Sequence, residues 1–253
     1  MNSFVFALQH LTRIHLFNPE FDERSLGRSG MFFPLVGLIL GAILSAVDFF
    51  SLFMFPPLAS SAIVLVALVI LTGGIHLDGF MDTVDGVFSG RSRERKLEIM
   101  KDSRVGAFGA LGAFCLLILK FSFITGLEDG RYTALILMAV AGRWAMTYAI
   151  ARFPYVREEG LGKLYSLHTG KFELSVATLI ALAVAAFIGG VGGILIFFSS
   201  FVFTHMFCAY LHRVLGGLTG DTYGAVNEVL EVVALGLYIS LSRFFPFLFA
   251  TLY

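Results

Sequence analysis

Three aspartates stand close together where a long apolar stretch of this sequence ends. In GGIHLDGFMDTVDG, residues 73–86, they occupy positions 78, 82 and 85, a spacing that places side chains on one face of a helix. Negative charges this close repel one another unless a cation lies between them. Mg²⁺ prefers carboxylate oxygens and often bridges them to substrate phosphates. Asp78, Asp82 and Asp85 are therefore predicted to be catalytic residues and metal ligands.

Basic residues follow the aspartates in RSRERKLEIMKDSRVGAFG, residues 91–109, just before the next apolar run. Phosphate-transfer sites combine a metal that bridges phosphate oxygens with Lys or Arg side chains that neutralise developing charge. Lys101 and Arg104 are therefore predicted to be catalytic cations. Asp102, which lies between them, is predicted to be a further metal ligand.

A glycine-rich segment, GGLTGDTYGAVNEVLE at residues 216–231, surrounds another aspartate. Backbone N–H groups in such loops can wrap an anion. Ionisable side chains inside apolar runs are costly in a membrane, and they usually mark a functional site. The substrate- or cofactor-binding residues predicted on these two grounds are Asp221, Gly220, Gly217, Asn227, Glu228, Arg143 and His76.

The composition indicates a membrane protein. Of the 253 residues, 57% are hydrophobic and 14% are charged, whereas soluble domains carry roughly 25% charged residues. The lipid bilayer is therefore the partner predicted for the apolar surface of this protein. The formal net charge is zero, so bulk charge provides no indication of a nucleic-acid partner, and none is predicted.

A helix that crosses a bilayer needs roughly 20 apolar residues. Residues 1–31 lack such a run and are predicted to form an interfacial segment, with apolar side chains at helical spacing. Seven segments of the required kind occur, at 32–55, 58–77, 106–125, 132–151, 174–192, 194–211 and 229–252. The turn between the fifth and sixth of these spans is placed at GGVGG, residues 189–193. A different reading of that stretch changes the number of spans to six or eight.

Basic loop residues indicate the orientation of these spans, because cytoplasmic loops carry an excess of Lys and Arg. The N-terminal segment and the loops at 78–105, 152–173 and 212–228 hold nearly all of them, and in a chain of seven spans these segments all lie on the same side of the membrane. On the other side Arg131 is the only basic loop residue. The N-terminus is therefore predicted to be cytoplasmic, in an all-α transmembrane bundle of about seven spans.

The same arrangement bears on function. Residues 76–109, 152–173 and 212–231 are the polar loops able to form an active site, and all face one side. A cation-coupled transporter needs sites reachable from both sides, usually in paired halves, and no internal repeat is visible. We therefore predict a membrane enzyme, with residues 1–253 as a single catalytic domain and transport as the less favoured alternative.

Several motifs, taken together, resemble a known family. The chain resembles the cobalamin synthase family, which are adenosylcobinamide-GDP ribazoletransferases of the cytoplasmic (inner) membrane. The resemblance implies a Mg²⁺-dependent transferase that joins adenosylcobinamide-GDP to α-ribazole or its 5′-phosphate and releases GMP. The matching stretches, in family order, are FFPLVGLILG (32–41), GGIHLDGFMDTVDG (73–86), MKDSRVGAFG (100–109), GRWAM with ARFPYVREEGLG (142–162) and LGGLTGDTYGAVNEVLE (215–231).

A more distant similarity connects the chain to CDP-alcohol phosphotransferases. Their D-x-x-D-G start is matched by residues 82–86, which supports metal binding by Asp82 and Asp85. The rest of that pattern departs, since Ser89 and Gly90 stand where Ala-Arg belongs. The alternative enzyme is thus a lipid-directed CDP-alcohol phosphotransferase. In either enzyme a carboxylate, with Asp82 as the candidate, takes the proton of the attacking hydroxyl.

Overall fold

A computed structural model describes residues 2–249, and this part of the chain is helical without any β-strand. The all-α prediction is confirmed. Short 3₁₀ turns occupy Arg28–Phe32 and Pro246–Phe249. The α-helices are α1 (Asn2–Leu11), α2 (Glu23–Gly27), α3 (Phe33–Leu52), α4 (Pro57–Thr72), α5 (Ile75–Phe88), α6 (Arg93–Ile99), α7 (Ala107–Thr125), α8 (Arg131–Arg152), α9 (Leu161–His168), α10 (Lys171–Leu215) and α11 (Gly220–Phe244).

The chain crosses the membrane several times. Among the described residues, the helices long and apolar enough to cross are α3, α7, α8, α10 and α11, and the bent pair α4–α5 adds a sixth crossing. Helix α10 breaks at Gly190, where φ is 57° and ψ is −142°. The backbone of Gly193 packs on that of Ala185, so the two arms fold back on each other. Counting these arms separately gives the seven predicted crossings.

The C-terminal boundary predicted for the second span, 58–77, is wrong. Helix α4 stops at Thr72, and α5 leaves it at an angle of 90°. The cause is a pair of residues with left-handed backbone, Gly73 (φ 65°) and Gly74 (φ 71°), a conformation that glycine adopts without steric cost. Because of this bend, α5 carries the three aspartates across the end of the bundle instead of continuing the span.

The last predicted span also begins too late. Helix α11 starts at Gly220 and not at residue 229, because Thr219 caps it through a hydrogen bond from the Thr222 N–H. The helix ends at Phe244. Residues 250–252 of the prediction lie outside the described part of the chain. The longer helix carries the glycine-rich segment as its first turns.

Helix α8 forms the centre of the bundle and is buried along most of its length, with α3, α10 and α11 packed around it. At its N-terminal end Arg131 donates to both carboxylate oxygens of the buried Asp48, at 2.7 and 2.9 Å. Large apolar side chains remain exposed on the outer helices, as expected where they face lipid. Helix α1 packs on the opposite end of the bundle, beside the 3₁₀ turn before α3.

Candidate active site

Helices α5 and α11 cross at two glycines, and this crossing assembles the site. A Cβ at position 79 would lie 2.8 Å from the carbonyl oxygen of Asp221. A Cβ at position 224 would lie 3.0 Å from the carbonyl oxygen of His76. Both positions therefore require glycine for this approach of the two backbones. The crossing brings Asp78 and Asp82 of α5 beside Asp221 of α11, although more than a hundred residues separate them in sequence.

Asp78 and Asp82 are free carboxylates. Asp78 is exposed and Asp82 is half-buried, and neither forms an ion pair within residues 2–249. The charges of Asp78 and Asp221 both act on Asp82. The predicted clustering of acidic side chains is thus present for Asp78 and Asp82, and it includes Asp221, which the sequence placed in a separate glycine-rich loop.

Asp85 makes different contacts from the other two aspartates. Its carboxylate is buried and accepts hydrogen bonds from the backbone N–H groups of Gly106 and Gly109, both at 2.8 Å. These groups belong to the start of α7, where unpaired N–H groups and the helix dipole favour an anion. A Cβ at either glycine would overlap the carboxylate. Both oxygens of Asp85 are therefore occupied in holding α7 against α5.

Arg157 is a site residue that the sequence indicated only as one basic residue of a loop. Its guanidinium donates to Asp221 Oδ2 at 2.5 Å and to the carbonyl oxygen of Met100 at 3.2 Å. The loop that carries it is tied to the segment before α11, since the Val156 N–H donates to Leu218 O at 2.9 Å. The sequence signal that could have identified Arg157 as a site residue was its position within the stretch ARFPYVREEGLG.

The two predicted catalytic cations, Lys101 and Arg104, differ in their position relative to the site. Arg104 donates to both oxygens of Asp102, and these hydrogen bonds lower the pKa of Asp102 to about 2. The Arg104 side chain points into solvent, with 87% of its surface exposed. Lys101 is exposed and lines a cavity of about 570 Å³ together with Arg157. The structure therefore brings Lys101, and not Arg104, towards the Arg157 side of the site.

Three predicted binding residues lie instead in a buried ion cluster, defined by Lys120, Arg143, Asn227, Glu228 and Glu231. The Lys120 ammonium donates to Glu228 at 2.7 Å and to Glu231 at 2.5 Å. Arg143 pairs with Glu231, which also accepts a 3.2 Å hydrogen bond from Asn227. This cluster ties α7, α8 and α11 together in the interior. Arg143, Asn227 and Glu228 thus contact other side chains of this cluster, while Arg143 Nε and Nη2 and Asn227 Oδ1 have no hydrogen-bond partner within residues 2–249.

A cavity of about 290 Å³ opens beside the carboxylates, and Asp78, Asp221 and Arg157 line it. His76 and Gly220, both predicted to bind a ligand, belong to its wall. Gly217 does not, because it packs against Pro154 and Val156. As the side chains lie, no group of three or more His, Cys, Asp or Glu residues in the described chain is close enough to hold a metal ion.

Comparisons with known proteins identify the family of this chain. The family model described as cobalamin-5-phosphate synthase matches residues 3–239. A protein of Roseiflexus sp. (strain RS-1) named adenosylcobinamide-GDP ribazoletransferase is 45% identical, over 86% of this chain and 81% of its own length. Its namesake in Desulforamulus reducens is 42% identical, over 89% of this chain and 91% of its own. No solved structure matches the chain significantly. The chain therefore belongs to the cobalamin-5-phosphate synthase family.

Proposed function

We propose that this protein is an adenosylcobinamide-GDP ribazoletransferase, a membrane transferase that releases GMP while it forms a cobalamin or its 5′-phosphate. A ribose hydroxyl of α-ribazole, or of its 5′-phosphate, attacks the phosphorus attached to cobinamide. The bond from that phosphorus to the bridging oxygen breaks, and GMP leaves with the oxygen. The observation that carries the proposal is the cavity in which Asp78 and Asp221 meet Arg157, in a chain of this family.

Mg²⁺ is the ion that the family resemblance implies, and carboxylate oxygens are the ligands it prefers, although three of them must move closer together to hold it, since as the side chains lie no such group in the described residues is close enough. Asp78 and Asp82 present carboxylates without an ion-pair partner in the described chain, next to a third carboxylate on Asp221. We assign the ion to these three residues. Asp85 and Asp102 are left out of the ligand set because both oxygens of each already accept hydrogen bonds, whereas only Oδ2 of Asp221 does so within the described residues. When bound, the ion would neutralise phosphate oxygens of the pyrophosphate.

The remaining chemistry is assigned to residues of the chain itself. Arg157 is half-buried beside the carboxylates, and its planar guanidinium suits phosphate oxygens. Lys101 lines the neighbouring cavity with it and supplies a second cation. We assign Asp82 as the general base through the carboxylate oxygen that the ion leaves free, because this half-buried carboxylate lies beside Asp78 and Asp221 and can accept the proton of the attacking hydroxyl.

We further propose that the site faces the cytoplasm in the inner membrane. The elements that form it carry the basic loops, namely the loop from α5 to α7, the loop after α8 and the turn before α11. Positive loops remain on the cytoplasmic side.

Turnover by the purified protein tests the function. The protein in detergent is incubated with adenosylcobinamide-GDP and α-ribazole, with and without Mg²⁺, and GMP and corrinoid product are measured. We expect Mg²⁺-dependent joining by the wild type, loss of joining in Asp82→Asn, and wild-type rates in Asp129→Asn, a control in the loop between α7 and α8. Folded protein that joins CDP-linked lipids to alcohols, and not these substrates, would establish the lipid phosphotransferase instead.

A further inference from the structure

Three cavities adjoin one another in a row on the face that holds the carboxylates. The middle cavity, of about 290 Å³, shares His10 and Asp78 with a cavity of about 640 Å³ on one side. On its other side it shares Arg157 with the 570 Å³ cavity that Lys101 lines. Arg157 does not line the 640 Å³ cavity. Asp78 therefore stands between that cavity and the part of the groove that holds Arg157.

The 640 Å³ cavity, which we call the α1-side cavity, lies between the chain after α1 and the bend from α4 to α5. Arg13 is the only Lys or Arg among the described residues that line it. The Arg13 side chain is exposed and forms no ion pair within residues 2–249. The cavity therefore has one cation, and that cation is accessible.

The position of Arg13 is fixed by contacts with the end of α4. Its backbone N–H donates to the carbonyl oxygen of Leu71 at 2.7 Å. A Cβ at position 73 would overlap its guanidinium, so the charged group lies against the backbone of Gly73. The bend that turns α5 across the bundle thus also holds a guanidinium beside the cavity.

The Arg13 end of the α1-side cavity suits a phosphate group. A guanidinium binds phosphate oxygens through two parallel hydrogen bonds. Helix α5 begins at Ile75 in the wall of the same cavity, and no side chain caps its first N–H groups, which also favours a phosphate there. Asp78 lies one helical turn further along α5, since its N–H donates to Gly74 O. Its negative charge directs an anion towards Arg13.

The geometry of the proposed reaction decides which substrate carries this phosphate. In phosphoryl transfer the attacking and leaving oxygens lie roughly in line, on opposite sides of the phosphorus. Arg157 is the residue proposed to bind the pyrophosphate, and it lies on the other side of Asp78 from the α1-side cavity. The attacking substrate therefore approaches from the side of Arg13. The anionic group that this substrate can carry is its 5′-phosphate.

We propose that Arg13 is a specificity-determining residue that binds the 5′-phosphate of α-ribazole 5′-phosphate and makes this form the preferred substrate. The inference rests on the proposed function, in which either form of α-ribazole is joined. With the phosphate at Arg13, the ribose extends along the first turn of α5 towards Asp78. One turn rises about 5.4 Å, which is the scale of a single ribose. Arg13 positions the substrate and takes part in no bond change.

Replacement of Arg13 is the first test, and the two forms of one substrate are its readout. Arg13→Gln should raise the KM for α-ribazole 5′-phosphate by about tenfold to a hundredfold, because hydrogen bonds to a charged group are lost. The KM values for α-ribazole and for adenosylcobinamide-GDP should not change. A merely structural role at the α4–α5 bend would impair both forms of α-ribazole alike. The matched control is Arg24→Gln, an exposed arginine of α2 without an ion pair in the described chain.

Binding measured without turnover is the second test. Calorimetry with α-ribazole 5′-phosphate, in the absence of the corrinoid substrate, should give a Kd that rises from wild type through Arg13→Lys and Arg13→Gln to Arg13→Glu. The phosphate carries nearly two negative charges at neutral pH, so its affinity should follow the charge at position 13. The Kd of α-ribazole should not follow that order. Equal Kd values for the phosphate form in all four proteins would contradict the inference.

The outcomes separate the inference from the function and from lipid binding. If wild-type protein joins the substrates and Arg13→Gln keeps the KM for α-ribazole 5′-phosphate, the assignment of Arg13 is wrong and the function stands. If the variant keeps that KM in detergent but loses affinity for phosphatidylglycerol vesicles, Arg13 holds a lipid phosphate and the inference is overturned. A higher KM for adenosylcobinamide-GDP alone would overturn it as well, by placing Arg13 at the pyrophosphate. Absence of joining by folded wild-type protein contradicts the function, and the calorimetric series then decides whether Arg13 binds the phosphate.

Discussion

The guanidinium of Arg157 donates a 2.5 Å hydrogen bond to the carboxylate of Asp221, across 64 residues of sequence. This pair lies at the mouth of the cavity, and it neutralises the one aspartate that α11 contributes. In the proposed reaction, Asp221 and a substrate phosphate therefore compete for the guanidinium of Arg157. If it moves to a phosphate, Asp221 is released towards Asp78 and Asp82.

Replacement of Arg157 should therefore have opposite effects on metal and substrate. In Arg157→Gln, Asp221 loses its cation, so Mg²⁺ should bind the substrate-free protein more tightly in calorimetry. Turnover should fall by about a hundredfold or more, as when one preorganised donor to a reacting oxygen is removed. Arg95→Gln, which breaks an exposed ion pair on α6, serves as control. Weaker Mg²⁺ binding in Arg157→Gln would contradict the proposed competition.

Replacement of Asp85 should lower the stability of the protein, whereas replacement of Asp82 should lower its activity. Asp85→Asn leaves one of the two bonds to Gly106 and Gly109 without an acceptor, because an amide has a single carbonyl oxygen. We expect a lower thermal midpoint, from a loss of about 1–3 kcal/mol. Asp82→Asn should keep the midpoint and lose turnover. If Asp85→Asn is as stable as the wild type but inactive, Asp85 acts in the reaction after all.

The stability of the protein should depend on the net charge of the buried ion cluster more than on which residues form it. Among residues 2–249, Lys120→Met leaves Glu228 and Glu231 with Arg143 as their only ion-pair cation, and an uncompensated buried charge costs about 3–5 kcal/mol. We expect a sharply lower thermal midpoint and a lower yield of folded protein. Lys120→Met combined with Glu228→Gln restores the charge balance and should recover most of the loss. An equally unstable double variant would show that packing, and not charge, dominates.

The crossing of α5 and α11 should be sensitive to a single methyl group. In Gly79→Ala the new Cβ meets the backbone of Asp221, so the helices must separate and carry Asp78 and Asp82 away from Asp221. Displacements near 1 Å can lower rates by about a hundredfold, and we expect that loss in kcat at an unchanged protein yield. Gly126→Ala, at the end of α7 where a Cβ would only touch its own helix, should keep the wild-type kcat.

The sequence by itself determined much of the architecture. Its apolar runs predict a multi-pass helical bundle, because hydrophobic length is a local property of a segment. The spacing of Asp78 and Asp82 predicts one helix face, since helical periodicity is also local. The GGVGG stretch predicts the turn within α10, where Gly190 breaks the helix. These predictions need no knowledge of distant contacts.

Only the tertiary structure decided which charges meet. Asp85 belongs to the same motif as Asp82, yet it accepts N–H groups from the start of α7. Glu228 follows the glycine-rich loop, yet its partner is Lys120, 108 residues away. A charged side chain in a low-dielectric interior is defined by its partner. Partners are set by helix crossings such as that at Gly79, where two backbones must touch, and no local pattern encodes such a contact.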